Sequence, residues 1–161
     1  MNNRLLSLCY VVVCVLGCGS CEEKSHGKAE AYADAVELRN AITSFRYSYD
    51  RNPCSDSTND LVNQRVIIAT LMFQPSWCSE VFKLNPDGIR FVHVPPPNRM
   101  LGGLWLDPWG NPYHIEIGAI GSNSVVIGGV LVHQPVGVWS DGQNGRNEYG
   151  HCDDVVSWMS E

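Results

Sequence analysis

Basic residues are scarce and scattered in this chain: Lys and Arg number 11 against 17 Asp and Glu, leaving a net charge of −6 over 161 residues. Nucleic acid and anionic lipid headgroups both call for clustered cations, so neither is expected as a partner. Apolar runs are short as well. The longest, Leu5 to Leu16, is broken only by Ser7 and falls below the roughly 20 residues that span a bilayer. Catalytic signatures are missing: there is no Gly-x-Ser-x-Gly elbow, phosphate loop, dinucleotide fingerprint or His-Glu-x-x-His zinc helix. The five histidines are dispersed along the chain, and the adjacent His151 and Cys152 would point their side chains apart, which leaves no nucleophile with its base. No internal repeat is visible. These absences argue against an enzyme.

What remains is an ordinary globular composition, 44% apolar and 17% charged, enough for one domain with one core. The N-terminus reads as an export signal, with Arg4 as the positive region and the Leu5–Leu16 run as the apolar one. Val15-Leu16-Gly17-Cys18 has the form of a bacterial lipobox, in which the Cys18 thiol is acylated and becomes the new N-terminus. Cys21 is a poorer second candidate, and a plain secretory signal is the alternative. The organisation expected is a lipoprotein-type signal peptide over 1–17, a polar tether over 18–28 and a globular domain over 29–161. The protein would then be exported and periplasmic, with a lipid anchor in the inner or outer membrane.

Export places the retained cysteines in an oxidising compartment. Cys9 and Cys14 leave with the signal, and Cys21, Cys54, Cys78 and Cys152 permit three pairings. Cys54 with Cys78 is the preferred pair because it closes a moderate loop in the turn-rich middle, with Cys152 pairing Cys21 or staying free. Metal binding by cysteine is the rival use, but no two matching C-x-x-C pairs exist.

Ala35, Leu38, Ile42, Phe45 and Tyr49 recur at three- and four-residue steps and share one face of a helix, which Pro53 must end. A second helix is expected from Asp60 to about Met72, capped by Thr58 or Asn59, with Leu61, Val66, Ile67, Ala69 and Leu71 on its apolar face. Gly88 to Val94 has strand character and stops at three prolines, and Asn98 to Gly103 reads as a loop. Tyr113 to Ile117 alternates, so Tyr113, Ile115 and Ile117 face inward and His114 and Glu116 outward. Ser124 to Val132 and Val136 to Ser140 supply two more strands. The fold class expected is α+β: a long N-terminal amphipathic helix on a small antiparallel sheet, with a loop-rich C-terminal end.

Two motifs stand out. In Asp107-Pro108-Trp109-Gly110-Asn111-Pro112-Tyr113, Pro108 presets a turn, Gly110 permits positive φ, Asn111 can close an Asx-turn and Pro112 starts an extended segment. The tail carries Val138-Trp139-Ser140-Asp141-Gly142-Gln143-Asn144-Gly145 and then Asp153-Asp154-Val155-Val156-Ser157-Trp158. Together these segments resemble the C-terminal signature of the major pseudopilin of the type II secretion system, a non-enzymatic scaffold subunit. The resemblance covers at most residues 29–158. The N-terminus departs from it, having neither the family's processing site nor its continuous apolar helix.

The resemblance implies a pseudopilin-like domain and protein partners in a secretion or pilus-like apparatus, reached through the sheet edge or the Leu101–Trp105 loop. It also implies a structural Ca²⁺ held by the Asp141 carbonyl, the Asn144 side chain and the Asp153 and Asp154 carboxylates. Asn144 stands where the family has Asp, so the Asp141 or Glu148 side chain would have to compensate. A loop closed by hydrogen bonds, or by Cys152, is the metal-free alternative. A periplasmic lipoprotein serving as a binding module unrelated to secretion is the alternative function.

Overall fold

The computed structural model describes residues 19–54 and 61–158, with side chains from residue 26 onward. Cys18, Cys21 and the capping candidates Thr58 and Asn59 lie outside the described residues or side chains. Helix α1 spans Gly19–Tyr49. Its first turns occupy the stretch expected to be a tether, where Glu22, Glu23, Lys24 and Lys28 are all good helix formers and no proline intervenes. The predicted face is the buried one: Ala35, Leu38, Ile42 and Phe45 are fully enclosed, and Tyr49 packs at the margin of the same core. Full burial of each large side chain contributes about 2 kcal/mol. Asp50 ends the helix in the left-handed region at φ +50, donating its N–H to the Arg46 carbonyl at 2.9 Å.

Helix α2 spans Leu61–Met72 and buries Asn63, Gln64, Ile67, Ile68, Ala69, Thr70, Leu71 and Met72. The face is wider than the pattern suggested and excludes Leu61, which is 52% exposed, because burial tightens only toward the helix's C-terminal half. A short helix α3, Val81–Leu84, follows. The strand expected at 88–94 does not form. That segment runs extended across the end of α2, tied by the Phe91 N–H to the Leu71 carbonyl at 2.8 Å, with Val92 buried. Asn85, fully buried, locks the junction: its amide donates to the Thr70 and Ile89 carbonyls, and its oxygen accepts the Ile89 N–H and the Tyr49 hydroxyl. All its polar capacity is used, as burial demands.

A single 3₁₀ turn at Pro97–Arg99 leads into a hairpin of β1 (Met100–Leu101) and β2 (Leu104–Trp105), where a loop was expected. Gly102 and Gly103, both at positive φ, supply its two-residue turn. Leu101 and Gly102 at the tip are exposed, whereas Leu104 and Trp105 are buried, so of the expected contact loop only the tip faces outward.

Strand β3 is His114–Ile117, β6 is Val136–Ser140 and β7 is Val155–Val156, forming an antiparallel sheet in the order β3-β6-β7. His114 lies opposite Trp139, and Trp139 opposite Val156. The expected strand at Ser124–Val132 is instead a hairpin, β4 (Val125–Ile127) and β5 (Val130–Val132). The consecutive Gly128 and Gly129, at φ +57 and +83, reverse the chain there. Three layers result. Helix α1 lies against β6 and β7, contributing its apolar face to a core with Ile115, Ile117, Val136 and Val138. On the far face Trp139 joins Val125, Ile127 and Val132, with Val156 and Trp158 packed against them. The class is thus mixed α+β with small antiparallel sheets, as expected.

The Cys54–Cys78 bridge is not formed: Cys78 is a free thiol in the turn after α2, whereas Cys54 is buried in the main core. Cys152 is likewise a free thiol. Among the described residues no helix is long and apolar enough to cross a membrane.

Candidate functional site

The first motif is organised by an acid. Asp107, 1% exposed, accepts the backbone N–H groups of Trp109 at 2.9 Å and Asn111 at 2.8 Å through one carboxylate oxygen. The Asx-turn assigned to Asn111 therefore belongs to Asp107. Its other oxygen accepts the Ser140 hydroxyl at 2.5 Å, and the Ser140 Oγ in turn accepts the Gly142 N–H at 3.0 Å. This chain of bonds joins the first motif to the second at the point where β6 ends.

The same segment is clamped to α1. The Trp109 indole lies over Gly27, where an added Cβ would come within 3.1 Å of the ring, so the glycine of the supposed tether is its seat. Arg99, 8% exposed, donates to Glu30 and Asp34 on α1 at 2.5 Å each and to the Leu106 carbonyl at 2.6 Å. The Tyr113 hydroxyl donates to Asp34 at 3.0 Å. Burial above all, and then the Asp34 carboxylate, pushes the Tyr113 phenol far above its ordinary range, so it remains a donor. Neither Arg99 nor its acidic partners carried a sequence signal, because 65 and 69 residues separate them.

Beyond Ser140 the chain forms the loop 141–154. Gly142, at φ +63, lies so close to the Asp153 carbonyl that any Cβ would overlap it, which brings the loop's two ends together. Asn144 bridges them further. Its backbone N–H donates to Asp153 Oδ2 at 3.0 Å, and its side-chain NH₂ donates to Asp153 Oδ1 and to Glu148 Oε2 at 3.2 Å. Asp154 Oδ2 accepts the N–H groups of Glu148 at 3.1 Å and Gly150 at 2.8 Å. Its other oxygen, Oδ1, is buried with no hydrogen-bond partner among the described residues. Burial first, with the Asp141 and Glu148 carboxylates adding to it, pushes the Asp154 carboxyl up. The Glu148 carboxylate foremost pushes the Cys152 thiol up, which keeps it in the unreactive protonated form.

Of the four predicted calcium ligands, Asp153 and Asp154 come together, and Glu148 joins them: one carboxylate oxygen from each lies within 4.8 Å of the others. Asn144 reaches the cluster through its NH₂ and not its oxygen. The ligand expected from Asp141 is its main-chain carbonyl; its side chain, the alternative donor, pairs with His114, Oδ1 to Nε2 at 2.7 Å. His114, expected to face solvent, is half-buried and stacked on Trp139 at 5.0 Å between ring centroids. The donor set suits Ca²⁺, which takes oxygen ligands from flexible loops, and the orphaned Asp154 oxygen is a buried acceptor that a cation would satisfy. Glu148, Asp153 and Asp154 are the residues that would hold it.

Beside β7, the edge strand of its sheet, runs an open cleft of about 640 Å³ lined by Lys28, Tyr32, Val156 and Trp158, among others.

A scan against protein-family models matched no family, and searches of curated proteins and of solved structures returned no match.

Proposed function

We propose that this protein is an exported, non-enzymatic structural or interaction module of a secretion or pilus-like apparatus. It is held at the membrane by an acylated Cys18, and its pseudopilin-like domain carries a C-terminal loop that takes a structural Ca²⁺. The observation that carries this reading is the juxtaposition of the two motifs: Asp107 of the turn is bonded to Ser140 at the root of the acidic loop, while α1 lies across the adjacent sheet. In this arrangement β7 forms one edge of the sheet. The cleft beside it is bordered by Tyr32, 50% exposed, and by the half-buried Trp158, a combination suited to protein contact.

Deletion of the gene followed by comparison of secreted proteins tests the role. Loss of exported cargo from the medium is the expected result, and an unchanged set of secreted proteins refutes it. Labelling cells with a fatty-acid analogue tests the anchor: wild type takes the label and Cys18→Ser does not. The cleft also favours a second reading, a periplasmic lipoprotein whose β7 edge binds a ligand unrelated to secretion. An acylated protein with no effect on secretion would support that alternative.

A further inference from the structure

Asn144-Gly145 is the only Asn-Gly step in the chain, and the loop presents it in an unusual setting. The Asn144 carbonyl oxygen accepts the Arg146 N–H at 2.6 Å. Its NH₂ faces the carboxylates of Asp153 and Glu148. The two halves of the amide cannot be exchanged, since a flipped Oδ1 would confront two carboxylates and a flipped NH₂ would confront an N–H. Gly145, exposed and at φ +64, has no Cβ to shield its nitrogen, and its N–H has no acceptor among the described residues. An unshielded nitrogen that mildly alkaline water can deprotonate and a donor on the oxygen that gains charge favour acyl transfer within the chain.

We infer that the folded loop converts its own Asn144 to an aspartate through a cyclic imide formed with Gly145. The Gly145 nitrogen adds to Asn144 Cγ, and the carbonyl electron pair moves onto Oδ1, where the Arg146 N–H faces it. The proton from the Gly145 nitrogen passes through water to Nδ2. Collapse breaks the Cγ–Nδ2 bond and ammonia leaves. Water then adds to Cγ and breaks the new Cγ–N bond, restoring the peptide and leaving a carboxylate; addition at the main-chain carbonyl instead gives the β-linked isomer. Water is the sole co-reactant, and nothing is oxidised or reduced.

The conversion removes the NH₂ that bridges Glu148 and Asp153 and puts a fourth carboxylate beside Glu148, Asp153 and Asp154. An amide-closed loop becomes one that repels itself unless a cation enters. This second consequence rests on the calcium reading above, whereas the conversion itself does not.

The test ages the full mature chain in mildly alkaline heavy-oxygen water, with and without urea, and follows position 144 by peptide mass mapping. The expected result is an amide-to-acid mass shift with one heavy oxygen at position 144, faster in the folded protein than in urea, while Asn123, which precedes Ser124, keeps its amide. No conversion, or conversion no faster than in urea, overturns the inference. In Asn144→Gln the shift is expected to vanish, because the longer side chain cannot close the five-membered ring; a persisting shift there overturns it too. Calcium titration of Asn144→Asp separates the two ideas. A calcium-dependent rise in Tm exceeding that of wild type supports the cation-held loop, and no rise overturns the calcium reading while leaving the mass result to decide the conversion.

Discussion

Ser140, the last residue of β6, donates its hydroxyl at 2.5 Å to the buried carboxylate of Asp107, 33 residues earlier. The acid serves two backbone N–H groups with its other oxygen, so a single side chain holds the turn closed and fixes it to the sheet. Replacing it with Ala leaves three donors without their acceptor, of which the Ser140 hydroxyl is fully buried. Asp107→Ala is expected to cost about 3 kcal/mol and Ser140→Ala about 1 kcal/mol, read from urea unfolding midpoints. An unchanged midpoint for Asp107→Ala would remove Asp107 from this role.

At Gly137 the β4–β5 hairpin packs directly on the sheet. An added Cβ would overlap Ile127 Cδ1 and lie 3.3 Å from the Trp158 ring. Gly137→Ala should destabilise by about 2 kcal/mol through overpacking. Combining it with Ile127→Ala should recover part of that loss, giving a non-additive double-mutant cycle; strictly additive effects would contradict the contact.

Burial alone raises the Glu116 carboxyl above its ordinary value of 4.5. A raised carboxyl binds its proton more tightly in the folded state, so its contribution to stability is fully present below the unfolded value and is lost as pH rises through the folded one. Glu116→Gln removes this dependence. Compared at each pH by thermal unfolding, the variant should gain on wild type from about 4.5 upward and show no such gain in more acidic buffer. A constant difference across the acid range would show that the group is not perturbed.

Calcium should bind through carboxylates in the loop 141–154. Glu148→Gln keeps the shape of the side chain and removes one charge, and it should weaken Ca²⁺ by about tenfold, equivalent to about 1.4 kcal/mol, in isothermal titration. Asp141→Asn should weaken it less, because that carboxylate is committed to His114. Equal losses in both variants would place the ion elsewhere in the loop.

Much of the architecture was legible locally. The three- and four-residue spacing from Ala35 to Phe45 marked the buried face of α1, and the alternation from Tyr113 to Ile117 marked the inward side of β3. Misreadings arose where partners are remote. Residues 88–94 have strand-forming side chains yet find no second strand to pair with, and Gly128-Gly129 divides an apolar run that looked continuous. In the acidic loop the motif marks Asp153 and Asp154 only as neighbours in sequence; their approach to Glu148 and the pairing of Asp141 with His114 depend on the fold.

By itself the sequence determined the buried face of α1, the helical run of α2 and the alternation of β3, because these follow from side-chain periodicity over a few neighbouring positions. Only the tertiary structure decided which carboxylates gather at the loop, that Asp107 anchors β6 and that Arg99 joins Glu30 and Asp34. Such polar pairings join residues distant along the chain, and burial makes them specific because each enclosed donor or acceptor must find a partner within hydrogen-bond reach.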